Sequence, residues 1–424
     1  MVTREENELL TRTGPGTPMG ALFRRYWLPA LLSAEVPEPD GDPIRVQLLG
    51  EDLVAFRDTR GRVGLMDEYC PHRQASLVYG RNEEWGLRCI YHGWKMDVDG
   101  NILETPPEPP ESTYKDRLKH VAYPTVEAQG VVWAYLGPRE HLPSPPDWEW
   151  MHAPAEQFGV TKIYEDCNYL QGVEGSIDSA HSDYLHSSNI TGRPRDHSPR
   201  LETQDTAYGF RYAAIRRPDT DPDKQKYVRV TIWVTPCHVL IPPLRPRVTG
   251  SVRDGEEVAV HQAWVPVDDE HNAFFTFAYN RNGPLPQAWR EHAEQFGLDR
   301  PYGWPQRKRE NQHLQDRAAM RRGHWSGIEG VNSQDFTVVE SMGPVIDRTR
   351  EHLGASDVAV IRMRRRMLDA VRAFQAGGQV LGVEPAIPYG RIATDERIIP
   401  IDQPWQSVAA FAGEPVPDAA SARA

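Results

Sequence analysis

The sequence predicts an α+β protein: a small antiparallel β unit first, then a larger unit that combines an antiparallel sheet with helices. Three observations carry this. From about Ile44 the chain alternates, with Ile44, Val46 and Leu48 separated by polar residues and a two-residue hairpin signal at Asp99-Gly100. Two proline-dense stretches, 105–110 and 138–146, cannot continue a regular element, and the second reads as a connection between units. Beyond it, stretches rich in Val, Ile, Tyr, Trp and Phe are followed by helical patterns.

Taken in order, residues 1–40 form an N-terminal helical segment, in which Thr17-Pro18 starts a short helix carrying Leu22, Phe23 and Trp27. Residues 41–145 hold the β unit, whose last strand is 131–136, and residues 146–412 the second unit. Its strands are expected at 210–217, 227–235, 258–265 and 273–279. A helix over 286–296 puts Trp289, Ala293 and Phe296 on one face. Asp357 caps another, with Val360, Met363, Met367, Val371 and Phe374 in one stripe before Gly377-Gly378 stops it. The run Arg364-Arg365-Arg366 reads as a solvated face or a subunit contact. The tail 413–424, rich in Ala, Pro and Ser, is expected to be flexible.

Composition narrows the function. A net charge of −12 disfavours nucleic acid, whose phosphates it would repel. The charged N-terminus lacks the apolar core of a signal peptide, and no stretch approaches the roughly 20 apolar residues of a membrane span. Four cysteines in 424 residues do not make a disulfide framework, so a reducing cytoplasm is the expected location. Two of them, Cys167 and Cys237, read as small buried hydrophobes.

The other two sit in the most informative pattern of the chain: Cys70-Pro71-His72, sixteen residues, then Cys89-Ile90-Tyr91-His92. Each half offers one thiolate and one imidazole to a common point, which suits a transition metal. Tetrahedral zinc accepts the same four atoms. Cys70-Pro71-His72-Arg73 and Cys89-Ile90-Tyr91-His92-Gly93-Trp94, residue for residue, resemble the Rieske [2Fe-2S] motif, in which cysteines hold one iron and histidines the other. With this motif the chain resembles the Rieske non-haem iron oxygenases, particularly the phthalate-dioxygenase-like group. The resemblance implies a Rieske domain over 41–145 and a catalytic domain over 146–412, its curved antiparallel sheet flanked by helices in a helix-grip, START-like arrangement.

The second constellation runs from Asn168 to His186 and is similar to that family's Asn-x-x-Gln-x-x-Glu-Gly-x-x-Asp-x-x-His-x4-His pattern at every fixed position. Iron(II) that activates oxygen takes two imidazoles and one carboxylate on one face and leaves other positions open. His181 and His186 supply the imidazoles. Five helical steps would leave them roughly 140° apart, so a distorted segment, such as a π-type bulge, is expected between them. Spacing leaves Asp183, Asp335 and Glu340 open as the carboxylate, and the resemblance points to Asp335 in Gln334-Asp335. It also implies that Asp178 bridges the metals of neighbouring subunits, which requires a head-to-tail homotrimer or stacked trimers.

The implied activity is oxygen insertion into a small aromatic substrate, as cis-dihydroxylation or O-demethylation. Electrons come from NAD(P)H through a separate flavin- and iron–sulfur-containing reductase, with or without a ferredoxin. No Gly-x-Gly-x-x-Gly fingerprint with a following acid occurs here, so the reductase is a partner. An aromatic acid would need arginines; Arg211, Arg216, Arg217 and Arg229 lie on expected strands, Arg245 and Arg247 after a Pro-rich turn, and Trp325 could line the cavity. A Rieske electron carrier and a zinc-stabilised binding module remain the other readings; about three irons per chain, two, or none would separate them.

Overall fold

The computed structural model describes residues 2–190, 198–218, 221–243, 258–291, 296–299, 301–383 and 389–409. It divides into two compact units, one of Thr13–Pro145 with Val265–Asp269, the other of Met1–Arg12, Pro146–Trp264 and Glu270–Ala424.

The smaller unit is all β apart from short helical turns. One sheet orders the strands Ile44–Leu48, Glu51–Arg57, Val63–Asp67 and Ala122–Tyr123, and a second orders Arg81–Glu83, Gly86–Arg88, Lys95–Met96 and Ile102–Glu104. Val54, Phe56, Met66, Leu87, Trp94 and Met96 bury together in a core that also contains Cys70 and Cys89. The Asp99-Gly100 turn forms because Asp97 Oδ1 accepts from the backbone N–H groups of Asp99 and Asn101. Gly100 adopts φ 80°, and a Cβ there would collide with the His120 carbonyl.

The expected 1–40 helical segment is divided. The helix Arg4–Thr11 belongs to the larger unit, because Tyr169 Oη and Asn168 Nδ2 donate to the carbonyls of Leu10 and Thr11 at 2.7 and 2.9 Å. Thr17 caps Pro18–Phe23 by accepting from Gly20 N–H at 3.1 Å. Trp27 is not in that helix; it opens the strand Trp27–Leu32, paired with Val131–Tyr135 and buried at every position, so no alternation marked it.

In the larger unit one sheet runs Phe158–Glu165, Asn272–Asn280, Val258–Pro266, His238–Ile241, Gln225–Val234, Gly209–Arg216, Arg200–Thr206, with Asp395–Pro400 also paired to Gln225–Val234. The helix Val358–Gln375 turns Val360, Met363, Met367 and Val371 inward, and Gly377 ends it at φ 77°. Asp357 does not cap it through its side chain, which accepts instead from Gly354 N–H. Arg364 is a further correction: it is buried and ion-paired to Glu174 and Glu351 rather than solvated. The expected 286–296 helix is described only as the turn Gln287–Arg290; Ala293, the tail, Arg245 and Arg247 lie outside the described residues. Among the described residues no helix is long and apolar enough to cross a membrane.

A buried histidine pair sets an acid limit on this unit. Trp150 Nε1–H donates to His261 Nδ1 at 3.0 Å, so His261 carries its proton on Nε2 and gives it to His238 Nδ1, also at 3.0 Å. Burial lowers His238 to about 3, and burial with the neighbouring His238 lowers His261 well below the usual value. Both therefore take up protons only on unfolding, so their contribution is complete above about pH 6.5 and is lost as pH falls. At pH 5 the loss is about 2 kcal/mol for His238, and His261 adds a loss of the same sign. The denaturation midpoint should fall more steeply between pH 7 and 5 in the wild type than in His238→Gln; equal slopes contradict a neutral pair.

Candidate active site

The first four candidate ligands sit on two tight turns. The Cys70 carbonyl accepts from Gln74 N–H and the Cys89 carbonyl from Gly93 N–H, each at 2.9 Å, with Gly93 at φ 74°. Both thiols are buried, and the His72 and His92 rings lie 4.4 Å apart. Burial, reinforced by Cys89, pushes the Cys70 thiol up to about 11. His72 stacks on Trp94 and its Nδ1 is buried without a hydrogen-bond partner. A buried nitrogen left so is costly unless a donor or a metal ion engages its lone pair. Two buried thiols beside an orphaned imidazole nitrogen fit an iron–sulfur cluster, whose iron would deprotonate the thiols.

The second set is built on the helix Tyr169–Ser176, started by Asn168 Oδ1 accepting from Leu170 N–H. After Ile177 the chain leaves the helix. Asp178 Oδ1 accepts from Ala180 and His181 N–H at 2.8 and 3.4 Å and so tightens the chain into a single 3₁₀ turn, His181–Asp183. The expected distortion between the histidines is this turn and the irregular residues after it, not a π-bulge. It brings the two Nε2 atoms to 3.1 Å from each other.

Asp335, on the helix Val331–Ser341, completes the group: its Oδ1 lies 3.0 Å from His186 Nε2 and 3.4 Å from His181 Nε2. These are the only three His, Cys, Asp or Glu side chains found so grouped among the described residues. Asp183 and Glu340, which spacing left open, are engaged elsewhere, with Arg216 and with His313. Each imidazole is held through Nδ1. His181 Nδ1 faces Asp178 Oδ2 at 3.5 Å, and His186 Nδ1 donates to Gln334 Oε1 at 2.7 Å. Gln334, which sequence reasoning gave no role, is fully buried and is itself fixed by donating to the Ile328 carbonyl and the Ser326 hydroxyl. Its only sequence signal is its place immediately before Asp335.

Burial opposes charge on His181, but hydrogen bonds to Asp178 and Asp335 outweigh it and raise the imidazole to about 10. Burial acts against the Asp335 carboxylate too, yet the two histidines hold it well below the usual range. The carboxylates therefore favour positive charge at this point, and two Nε2 atoms with a carboxylate oxygen converging on it fit a cation, bound by neutral imidazoles in the two-histidine, one-carboxylate mode that suits iron(II).

These three residues line a cavity of about 230 Å³. Ile190, Val260, Trp264, Trp289, Val331 and Val339 supply apolar wall. Arg216 and Arg229 also line it. Arg216 Nη2 contacts Asp183 at 2.7 Å and the Ser179 carbonyl at 3.0 Å; Arg229 donates to Glu396 at 3.0 Å and to the Pro242 carbonyl at 3.1 Å. Two candidate substrate contacts do not line the cavity. Arg211 donates to Gln204 and lies over the Trp405 ring, while Trp325 is 46% exposed beside Tyr184. Arg217 is exposed.

Comparison with known proteins matches residues 26–122 to the Rieske [2Fe-2S] domain and 134–418 to the LigXa C-terminal domain like family. The chain is 46% identical to a phthalate 4,5-dioxygenase oxygenase subunit of Pseudomonas putida, over 96% of this chain and 94% of that one. It is 34% identical to a 5,5'-dehydrodivanillate O-demethylase oxygenase subunit of Sphingobium sp., over 91% and 85%. A crystal structure of dicamba monooxygenase bound to 3,6-dichlorosalicylic acid superposes with a TM-score of 0.60 at 18% identity, covering 83% of this chain and 98% of that one. Sequence motifs, fold and relatives agree: the chain belongs to the Rieske non-haem iron oxygenases, as the oxygenase subunit of a multicomponent oxidoreductase that incorporates molecular oxygen.

Proposed function

We propose that the substrate is a small aromatic acid and that the reaction is cis-dihydroxylation of its ring; O-demethylation of a methoxylated aromatic acid is the alternative. The observation that carries this is the convergence of His181, His186 and Asp335 on a cavity whose wall combines apolar side chains with polar ones, two arginines among them. The dioxygenase at 46% identity supports the first chemistry and the demethylase at 34% the second.

In this reading Cys70, His72, Cys89 and His92 hold the [2Fe-2S] cluster, and His181, His186 and Asp335 the mononuclear iron(II). When bound, these groups supply one-electron transfer and oxygen activation. The protein's own share is positioning. Gln334 and Asp178 hold the imidazoles so that Nε2 faces inward. Val260, Val331 and Trp264 exclude water and accept the ring face. Arg216 and Arg229, each already charge-balanced by an acid, offer donors to a carboxylate without leaving an uncompensated cation in the wall before substrate binds.

The proposal includes a closed homotrimer, in which Asp178 would accept from His181 and from a cluster histidine of the neighbouring subunit, and a flavin- and iron–sulfur-containing reductase acting directly or through a ferredoxin. Asp178→Asn should lower turnover roughly 10–100-fold with metal content unchanged; turnover within a few-fold of wild type refutes the bridge. For the reaction itself, the purified chain with a reductase is supplied with NADH, O2 and phthalate or a methoxylated benzoate. Substrate-dependent O2 consumption with a ring diol supports the main reading, formaldehyde release the alternative, and no stimulation by any aromatic acid contradicts both.

A further inference from the structure

We propose that Gln262 orients the substrate by donating a hydrogen bond from its side-chain amide to an acceptor oxygen on the ring's substituent, and that Trp264 and Ser176 hold the amide in that orientation. The proposal rests on the aromatic-acid reading above.

Gln262 and Trp264 stand two apart on the strand Val258–Pro266, so their side chains share a face, and both line the cavity with Ser176. Trp264 Nε1 lies 2.8 Å from Ser176 Oγ, which lies 2.8 Å from Gln262 Oε1. An indole N–H can only donate, so Ser176 Oγ accepts it and has its own hydrogen to give. The amide oxygen of Gln262 is the acceptor at the end of this relay. That leaves Nε2, a double donor, to face the cavity, and among the described residues no protein acceptor takes it.

The relay has a built requirement upstream. A Cβ on Gly172 would lie within the Trp264 ring, so a glycine one turn before Ser176 is what lets the indole reach the serine at all. Gln262 is only 7% exposed and reaches the cavity, so a bound ring that displaces water from its Nε2 without offering an acceptor leaves a buried donor unpaired, which is costly. A ligand oxygen removes that cost, and a carboxylate oxygen does so most strongly. An analogue lacking the oxygen leaves the amide unpaired, which is how a polar group in an apolar cavity discriminates.

The test uses the full-length holoprotein, titrated calorimetrically with phthalate and with benzoate. Q262L should weaken binding of the acid that wild type binds by roughly 10–100-fold and lower the product formed per O2 consumed. Q262E keeps the size but turns a donor into an acceptor, so it should weaken binding at least as much. S176A should cost about 3–10-fold alone and nothing further in the Q262L background, because both act through one contact. Binding by Q262L and Q262E within about two-fold of wild type, or additive losses with S176A, overturns the assignment. Wild type that binds neither acid overturns the aromatic-acid reading itself, a different failure.

Discussion

Asp335→Asn is expected to lower turnover by more than about 100-fold, beyond what losing a supporting contact brings, and to remove about one iron of three per chain. Asparagine keeps the shape of the side chain and abolishes its charge. Two imidazole nitrogens 3.1 Å apart then face a neutral group, and the carboxylate that stabilises positive charge at that point is gone. The cluster ligands lie in the other unit, so its visible absorption should persist. Asp183→Asn and Glu340→Gln are the matched controls, being the acids that spacing alone left open, and each should retain its iron. Full iron in Asp335→Asn, or loss of iron only in a control, means that the ligand set is wrong.

Glu174→Gln should destabilise the larger unit by about 3–5 kcal/mol. Arg348 has a fully buried side chain and binds both Glu174 oxygens, through Nε at 3.0 Å and Nη2 at 2.9 Å. Arg364 adds a third contact at 2.7 Å but also has Glu351. With glutamine at that position Arg348 keeps only neutral acceptors, one amide oxygen there and that of Asn7, for a buried cation. The same helix carries Gly172, Gly175 and Ser176 along the cavity, so stability here is also site geometry. Chemical denaturation of the two proteins measures the difference, and an unchanged midpoint means the charge network contributes nothing. Arg348→Met combined with Glu174→Leu should recover part of the loss, because removing both partners spares the uncompensated charge.

What the sequence made legible follows from how locally each feature is encoded. Cys70, His72, Cys89 and His92 lie within two short turns, so spacing alone presents them as a set. His181 and His186 were legible as a pair but not in their geometry, because the turn that joins them is shaped by Asp178 accepting from the backbone. Asp335 converges from far along the chain, and only the resemblance singled it out.

The arginines show where parity was available and unused. Arg211 and Arg216 lie five apart on the strand Gly209–Arg216, an odd separation, so they must point to opposite faces. Arg216 pairs across from Tyr227, and Arg229 is two beyond it, which puts Arg216 and Arg229 on one face with Thr231. Alternation could have shown before any coordinates that Arg211 and Arg216 do not both face one cavity, though not which of them does. Trp325 offered no such test, since it lies outside regular structure. Arg364 was misread because a charged residue next to an apolar stripe looks solvated until its partner, Glu174, is brought in from 190 residues away.

Iron and acid-labile sulfide analysis of the purified wild-type chain tests the central claim most directly. A [2Fe-2S] cluster on Cys70, His72, Cys89 and His92 with a further iron on His181, His186 and Asp335 gives about three irons to two sulfides, with no zinc. Two irons to two sulfides in protein that oxidises its substrate at full rate, or zinc in place of the cluster, would contradict it.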